Sequence, residues 1–162
     1  LQNKCSLDKN ITTGEVYDKL ANIGSKLLLK TINGIDKGTL EPMGQKHSSA
    51  TYAPKLSSED YLIDWRDPIE TIHNQIRAFS PHPGAYTYYL NKRVKLFDSK
   101  IRADSHDKPL KPGEIKYCSP FLIVGTRTKS IYIHDIQIEG KARMPMSQCI
   151  LGLPEIKSGY FH

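Results

Sequence analysis

The stretch Ala85-Tyr86-Thr87-Tyr88-Tyr89-Leu90-Asn91-Lys92-Arg93-Val94-Lys95-Leu96-Phe97-Asp98-Ser99-Lys100-Ile101 decides the fold. Its two halves, 85–90 and 93–101, alternate between apolar or aromatic and polar residues. A period of two places successive side chains on opposite faces, so both halves read as half-buried strands. The short Leu90-Asn91-Lys92 link between them reads as a hairpin. The pattern repeats downstream. Pro112-Gly113 opens a short strand over 114–117, Phe121 to Val124 is a continuous apolar run, and 131–138 alternates again. Gly125-Thr126-Arg127-Thr128-Lys129 is a turn with two basic residues. Five short strands separated by turns predict a small five-stranded antiparallel barrel in a mainly β chain with helices. A closing helix is expected around Pro145 to Leu151.

Before the strands the period changes to that of helices. Ile69, Ile72, Ile76 and Phe79 form one stripe, with Asp67 as the expected N-cap, Pro68 at the first helical position and Glu70 completing a capping box. Pro81 and Pro83 end this helix. His73 and Arg77, one turn apart, are placed on its solvated face, and Trp65 just upstream is read as a core anchor. Further back, Thr12 and Glu15 have capping-box spacing. Val16, Leu20, Ile23, Leu27, Leu28 and Ile32 then make an apolar stripe, with Gly34 as the stop. Nothing within residues 1–55 offers that stripe a surface to pack on, and the chain does not begin with Met. The helix is therefore expected to close a domain that lies upstream. Residues 36–56, with Gly38, Pro42, Gly44, Pro54 and three lysines, read as an extended basic linker.

A chain of 162 residues that is 38% hydrophobic and 25% charged is too apolar for disorder. No apolar run reaches the length of a membrane span, and the start lacks a secretory signal pattern. Cys5, Cys118 and Cys149 are odd in number and far apart, which argues against a disulfide framework and for a cytoplasmic location. Cys118 and Cys149 read as buried small hydrophobes. The net charge of +6 is uneven. Residues 1–55 carry +3, residues 56–83 carry −3 (an acidic collar of Glu59, Asp60, Asp64, Asp67 and Glu70), and residues 84–162 carry +6. A basic surface of this kind suits a polyanion partner. Phosphate loops, dinucleotide fingerprints, nucleophile elbows and zincin motifs are absent, and the histidines at 47, 73, 82, 106, 134 and 162 show no metal-ligand spacing. No catalytic residue and no metal site is predicted in this chain.

Several runs go further than these patterns. They are Ala50-Thr51-Tyr52-Ala53-Pro54-Lys55-Leu56, Ile63-Asp64-Trp65, Ile76-Arg77-Ala78-Phe79-Ser80-Pro81-His82-Pro83-Gly84-Ala85-Tyr86-Thr87, Pro112-Gly113-Glu114-Ile115 and Glu139-Gly140-Lys141-Ala142-Arg143-Met144. Together they resemble the methionyl-tRNA formyltransferase family, in order and with its spacing. Thr13-Gly14-Glu15-Val16-Tyr17-Asp18-Lys19-Leu20 is similar to the final helix of that family's catalytic domain. The resemblance implies three parts. Residues 1–35 would be the helical end of a Rossmann-like catalytic domain, 36–56 a linker, and 57–162 a C-terminal barrel like an OB-fold, the oligonucleotide-binding type. It also implies a parent enzyme that moves a formyl group from 10-formyltetrahydrofolate to the methionine amino group of initiator methionyl-tRNA. The family's catalytic residues and co-substrate site would lie in the N-terminal catalytic domain, upstream of Leu1.

In that scheme the barrel and linker grip the tRNA backbone, because each neutralised phosphate releases counterions. The expected tRNA-binding residues are Lys55 in the linker, Lys92, Arg93 and Lys95 in the hairpin, and Lys141 and Arg143 in the Gly140–Met144 segment. Arg127 and Lys129 are second choices. The chain departs from the family at His82, where many members carry an aromatic, and at the hairpin, which lacks the usual glycine near Asn91. Two other readings follow from the same residues. One is the structural C-terminal domain of a sugar-nucleotide N-formyltransferase, whose members share the helix and the Pro-Gly-Ala motif. The other is a free-standing nucleic-acid binder, against which the unpartnered first helix argues.

Overall fold

A computed structural model of the chain describes residues 1–102 and 110–162. His106 lies outside the described residues. The chain divides into two compact units, Leu1–Ser57 and Ser58–His162.

In the first unit, α1 spans Thr13–Asp36. Its capping box forms in both directions: the Glu15 N–H donates to Thr12 Oγ1 at 3.4 Å, and the Thr12 N–H donates to Glu15 Oε2 at 2.8 Å. The helix runs two residues past the expected stop. Gly34 is helical, and a Cβ there would sit 2.5 Å from Leu40 Cδ1, so its missing side chain serves packing. Gly38, with φ of 64°, takes the left-handed conformation that ends the helix. None of the residues of α1 is buried, and Leu20, Leu28 and Ile32 are exposed. The expected linker carries one short 3₁₀ turn, His47–Ser49.

The second unit opens with a 3₁₀ turn at Glu59–Tyr61 and with α2, Ile69–Ala78. A curled antiparallel sheet follows: β1 (Ala85–Tyr89), β2 (Lys92–Lys100), β3 (Glu114–Cys118), β4 (Phe121–Gly125), β5 (Ser130–Ile138), β6 (Met144–Pro145) and β7 (Ser158–Tyr160). Helix α3, Met146–Gly152, stands where the closing helix was expected. The sheet order is β1-β2-β5-β4-β3-β7, with β6 paired to β5. The five predicted strands are present, joined by the two short ones. The hairpin turn is tighter than expected. Tyr89 pairs with Lys92, and Leu90 and Asn91 both take positive φ, 47° and 62°, as a type I′ turn requires.

The curl brings the far edge of the sheet back to its first strand. The residue after Phe161 pairs with β1: the Tyr88 N–H donates to the His162 carbonyl at 2.9 Å, and the His162 N–H donates to the Tyr88 carbonyl at 3.0 Å. The Phe161 N–H donates to the Gly113 carbonyl at 2.8 Å. Trp65 is the anchor the sequence predicts, 4% exposed, with its indole N–H donating to Thr87 Oγ1 at 3.0 Å. Ile69, Ile72 and Ile76 of α2 are buried in the same core as Leu96, Leu122, Ile133 and Ile136.

Three local expectations are corrected. Helix α2 has no side-chain cap from Asp67: the Ile69 N–H donates instead to Thr128 Oγ1, 3.1 Å away in the β4–β5 turn. A hydroxyl 59 residues downstream takes the role of the local carboxylate. Thr128→Val is therefore expected to cost about 1 kcal/mol, and Asp67→Ala under about 0.5 kcal/mol, in urea unfolding. Cys118 is exposed, whereas Cys149 is buried as expected.

The third correction concerns His73, which is buried rather than solvated, with Nδ1 2.8 Å from Ser99 Oγ. Burial, and then the nearby charges of Arg77 and Lys100, hold its pKa below the ordinary 6.5. Just below pH 6.5 the unfolded chain therefore binds more protons than the folded one. The contribution is fully present above that pH and is lost as pH falls toward the depressed native value. Urea midpoints at pH 7.5 and 5.5 should differ more for the native chain than for His73→Gln.

Candidate nucleic-acid interface

Strand β2 faces two ways. Val94 and Leu96 point into the core, which turns Arg93, Lys95 and Phe97 to the other face. The Arg93 guanidinium lies 4.7 Å over the ring of Tyr86. Its backbone is pinned to the β5–β6 turn, with the Glu139 N–H donating to the Arg93 carbonyl at 2.9 Å. Lys95 sits in register between Tyr86 on one side and Gln137 on the other. Its aliphatic stem passes 3.0 Å from the position a Cβ would take on Gly84, whose φ is 88°. A larger residue at 84 would displace both Lys95 and the Phe97 ring.

Gln137 links Lys95 to the next basic segment. Its Nε2 donates to the Lys141 carbonyl at 2.9 Å, and the Lys141 N–H closes a turn on Ile138 at 2.9 Å. Lys141 Nζ lies 4.0 Å from the would-be Cβ of Gly152, at the electronegative C-terminal end of α3. Arg143 is held more firmly. Its Nε and Nη2 donate to Asp135 Oδ2 at 3.0 and 2.7 Å, and its guanidinium lies 4.5 Å over Phe97. Asp135 is shared with His134, whose Nδ1 is 3.0 Å from Oδ1. Arg143 is therefore paired with Asp135 in a fixed position, where its guanidinium also supports the sheet face.

Pairing of β2 with β5 thus sets Arg93 and Lys95 on the face away from the core, with the Asp135-paired Arg143 beside them, while the Gln137 bond brings the Lys141 backbone to the same end of the sheet and its amine lies toward α3. Lys92 is exposed beside the hairpin turn, opposite Tyr89. Lys55 is exposed and belongs to the first unit. Arg127 and Lys129 are not brought to the cluster. They precede the nine residues of β5, whereas Lys141 follows them, and a strand of that length spans roughly 30 Å. The Arg127 N–H donates to the Asp67 carbonyl at 3.2 Å, which sets that turn beside the acidic collar.

Sequence reasoning missed the aromatic element of this face. Tyr86 and Tyr88 contact edge to face at 5.7 Å, beside Arg93. The alternation of β1 already placed both on one face, and that was the available signal. It also missed Arg102, which covers the rings of Phe121 and Tyr132 at 5.2 and 5.0 Å. Beside β1 lies a cleft of about 480 Å³, floored by Ile63, Trp65 and Phe161. At its rim, hydrogen bonds from Arg66 hold the Asp64 carboxyl down at about 2. Among the described residues, no group of histidine, cysteine and carboxylate side chains is arranged to hold a metal ion, and no helix is long and apolar enough to cross a membrane.

Comparison with known proteins adds relatives to this geometry. The family model for the formyl transferase C-terminal domain matches residues 55–154. The methionyl-tRNA formyltransferase of Carboxydothermus hydrogenoformans is 37% identical over 154 residues, covering 94% of this chain and 49% of the relative. That of Akkermansia muciniphila is 36% identical over 159 residues, covering 96% of this chain and 51% of the relative. The chain thus spans about half the length of the curated relatives it matches. Among solved structures, HypX from Aquifex aeolicus superposes with a TM-score of 0.71 at 22% identity, covering 90% of this chain and 27% of that one. Another HypX structure, at TM-score 0.62, is a complex with tetrahydrofolic acid. A sugar 3N-formyl transferase superposes at TM-score 0.50 and 20% identity, covering 84% of this chain and 47% of that one. At these identities the structural likenesses speak to the fold alone.

Proposed function

The chain belongs to the formyl transferase family through its C-terminal domain, and from that premise we propose that it is the tRNA-holding portion of a cytoplasmic methionyl-tRNA formyltransferase. The observation that carries this reading is the β2–β5 register: it sets Arg93 and Lys95 side by side on the outer face and brings the Lys141 segment, far away in sequence, to the same end of the sheet. Such a surface suits the phosphates of an RNA backbone, which position a substrate without reading its bases. Arg93, Lys95 and Lys141 are the principal contacts, Arg143 a fixed charge beside them, and Lys55 and Lys92 additional contacts.

The partner is initiator methionyl-tRNA, together with a catalytic domain of the same protein. Formyl transfer from 10-formyltetrahydrofolate falls to that catalytic domain. The cleft beside β1 does not favour the co-substrate: Arg66 offsets Asp64 there, and Glu59 leaves a negative charge facing the carboxylates of a folate's glutamate tail. No step of the transfer is therefore assigned to this chain.

The names of the sequence relatives favour the tRNA substrate over a sugar nucleotide, and the sugar-enzyme likeness rests on fold alone. A mobility shift with initiator tRNA tests the reading. The chain is expected to retard tRNA at low salt and to formylate nothing by itself. Absence of a shift, together with formylation of an amino sugar by the full-length enzyme, would replace this reading with the sugar-nucleotide one.

A further inference from the structure

We infer that the cleft beside β1 receives one unpaired nucleobase of the RNA whose phosphates lie on Arg93 and Lys95; this rests on the tRNA-holding reading above. The cleft's size falls within the ~300–1,000 Å³ common for small-ligand sites. Its floor is closed by Trp65 and Phe161, 4% and 3% exposed, whose rings stack on each other at 5.6 Å and leave only an apolar edge to the cleft. Tyr88 forms one wall, half-buried and steadied against Tyr86. A flat guest that stacks on Tyr88 over that apolar floor matches the cleft.

The rim selects the guest's edge. Asp64 is ionised at neutral pH, because its carboxyl is held at about 2, and it accepts hydrogen bonds. Arg66, paired to it at 2.6 Å, leaves 83% of its side-chain surface in solvent. An ionised carboxylate beside a guanidinium offers acceptor and donor together, as the amine and ring nitrogen of a base require. With Arg66 offsetting Asp64, Glu59 leaves the rim net negative, so the charge pattern favours a neutral ring over an anion.

Continuity with the basic face supplies the remaining link. Arg93 lies on Tyr86, Tyr86 touches Tyr88, and Tyr88 lines the cleft. A backbone held on Arg93 and Lys95 thus has its base within reach of Tyr88.

The test uses the full chain and two RNA duplexes of one sequence, one blunt and one ending in a single unpaired 2-aminopurine nucleotide. The duplex with the unpaired base is expected to bind roughly ten-fold more tightly, in line with base–aromatic stacking, and its emission to change on binding. Tyr88→Ala should abolish the gain and the emission change and Tyr88→Phe should retain both, the gain being read in each case as the ratio of that variant's own affinities for the two duplexes. Asp64→Asn, at a half-exposed rim position, should reduce the gain without touching the core. Equal affinities for two duplexes that both bind, with unchanged emission, would overturn the cleft proposal alone. Failure of both duplexes to bind at low salt would overturn the tRNA-holding reading and the cleft proposal with it.

Discussion

Replacing Phe161 with alanine is expected to lower the stability of the β unit by about 3–5 kcal/mol, the usual cost of truncating a buried phenylalanine. The ring is 3% exposed, stacks on Trp65 and meets Tyr89 edge to face at 6.0 Å. Its backbone bonds Gly113, and the next residue pairs twice with β1. The substitution thus empties a core site at the seam where the curled sheet returns to its first strand. Total stabilities of domains this size run near 5–15 kcal/mol, so much of the margin is at stake. Urea unfolding followed by the fluorescence of Trp65, the single tryptophan, reads this directly. Tyr160→Ala, at a residue 43% exposed, is the control and should cost under about 1 kcal/mol. A Phe161→Ala loss no larger than the control's would refute the closure described here.

The second large effect is on RNA binding. Replacing Arg93, Lys95 and Lys141 together with glutamine removes the three principal contacts. Each lost phosphate contact should flatten the dependence of log affinity on log salt by about 0.7–0.9, so the triple variant should lose roughly 2–3 units of slope. None of the three side chains lies in the core, so the urea midpoint should stay near that of the native chain. Arg127→Gln with Lys129→Gln removes two charges from the far end of β5 and should leave most of the slope intact. If the far pair mattered as much as the near three, the interface would have to be moved.

Much of this fold is legible in the sequence because it is local. Alternation over 85–101 places both strands of the first hairpin, and the stripe of Ile69, Ile72 and Ile76 locates α2. What was misread depends on partners distant in the chain. The α2 cap comes from Thr128, and His73 is buried against Ser99, 26 residues on. Neither spacing leaves a periodic trace. Strand β7 is three residues, Ser158–Tyr160, too short for alternation to register. The tightness of the Leu90-Asn91 turn was hidden because neither residue is the glycine that usually announces positive φ. The candidate site divides the same way. Lysines and arginines are plain in the sequence, and the Gly140–Met144 segment stands out in it. That Lys95 stands beside Gln137, which in turn holds the Lys141 turn, follows only from the β2–β5 register. The same register separates Arg127 and Lys129 from the cluster. The Asp135 tether on Arg143 likewise needs β6 to fold back on β5.

The central claim is that the β2–β5 face grips an RNA backbone through its charges. The most direct measurement is the affinity of the chain for initiator tRNA across a salt series. Neutralisation of four to six phosphates predicts that log affinity falls with log salt at a slope of roughly −4 to −5. An affinity that stays flat from low to moderate salt would contradict it.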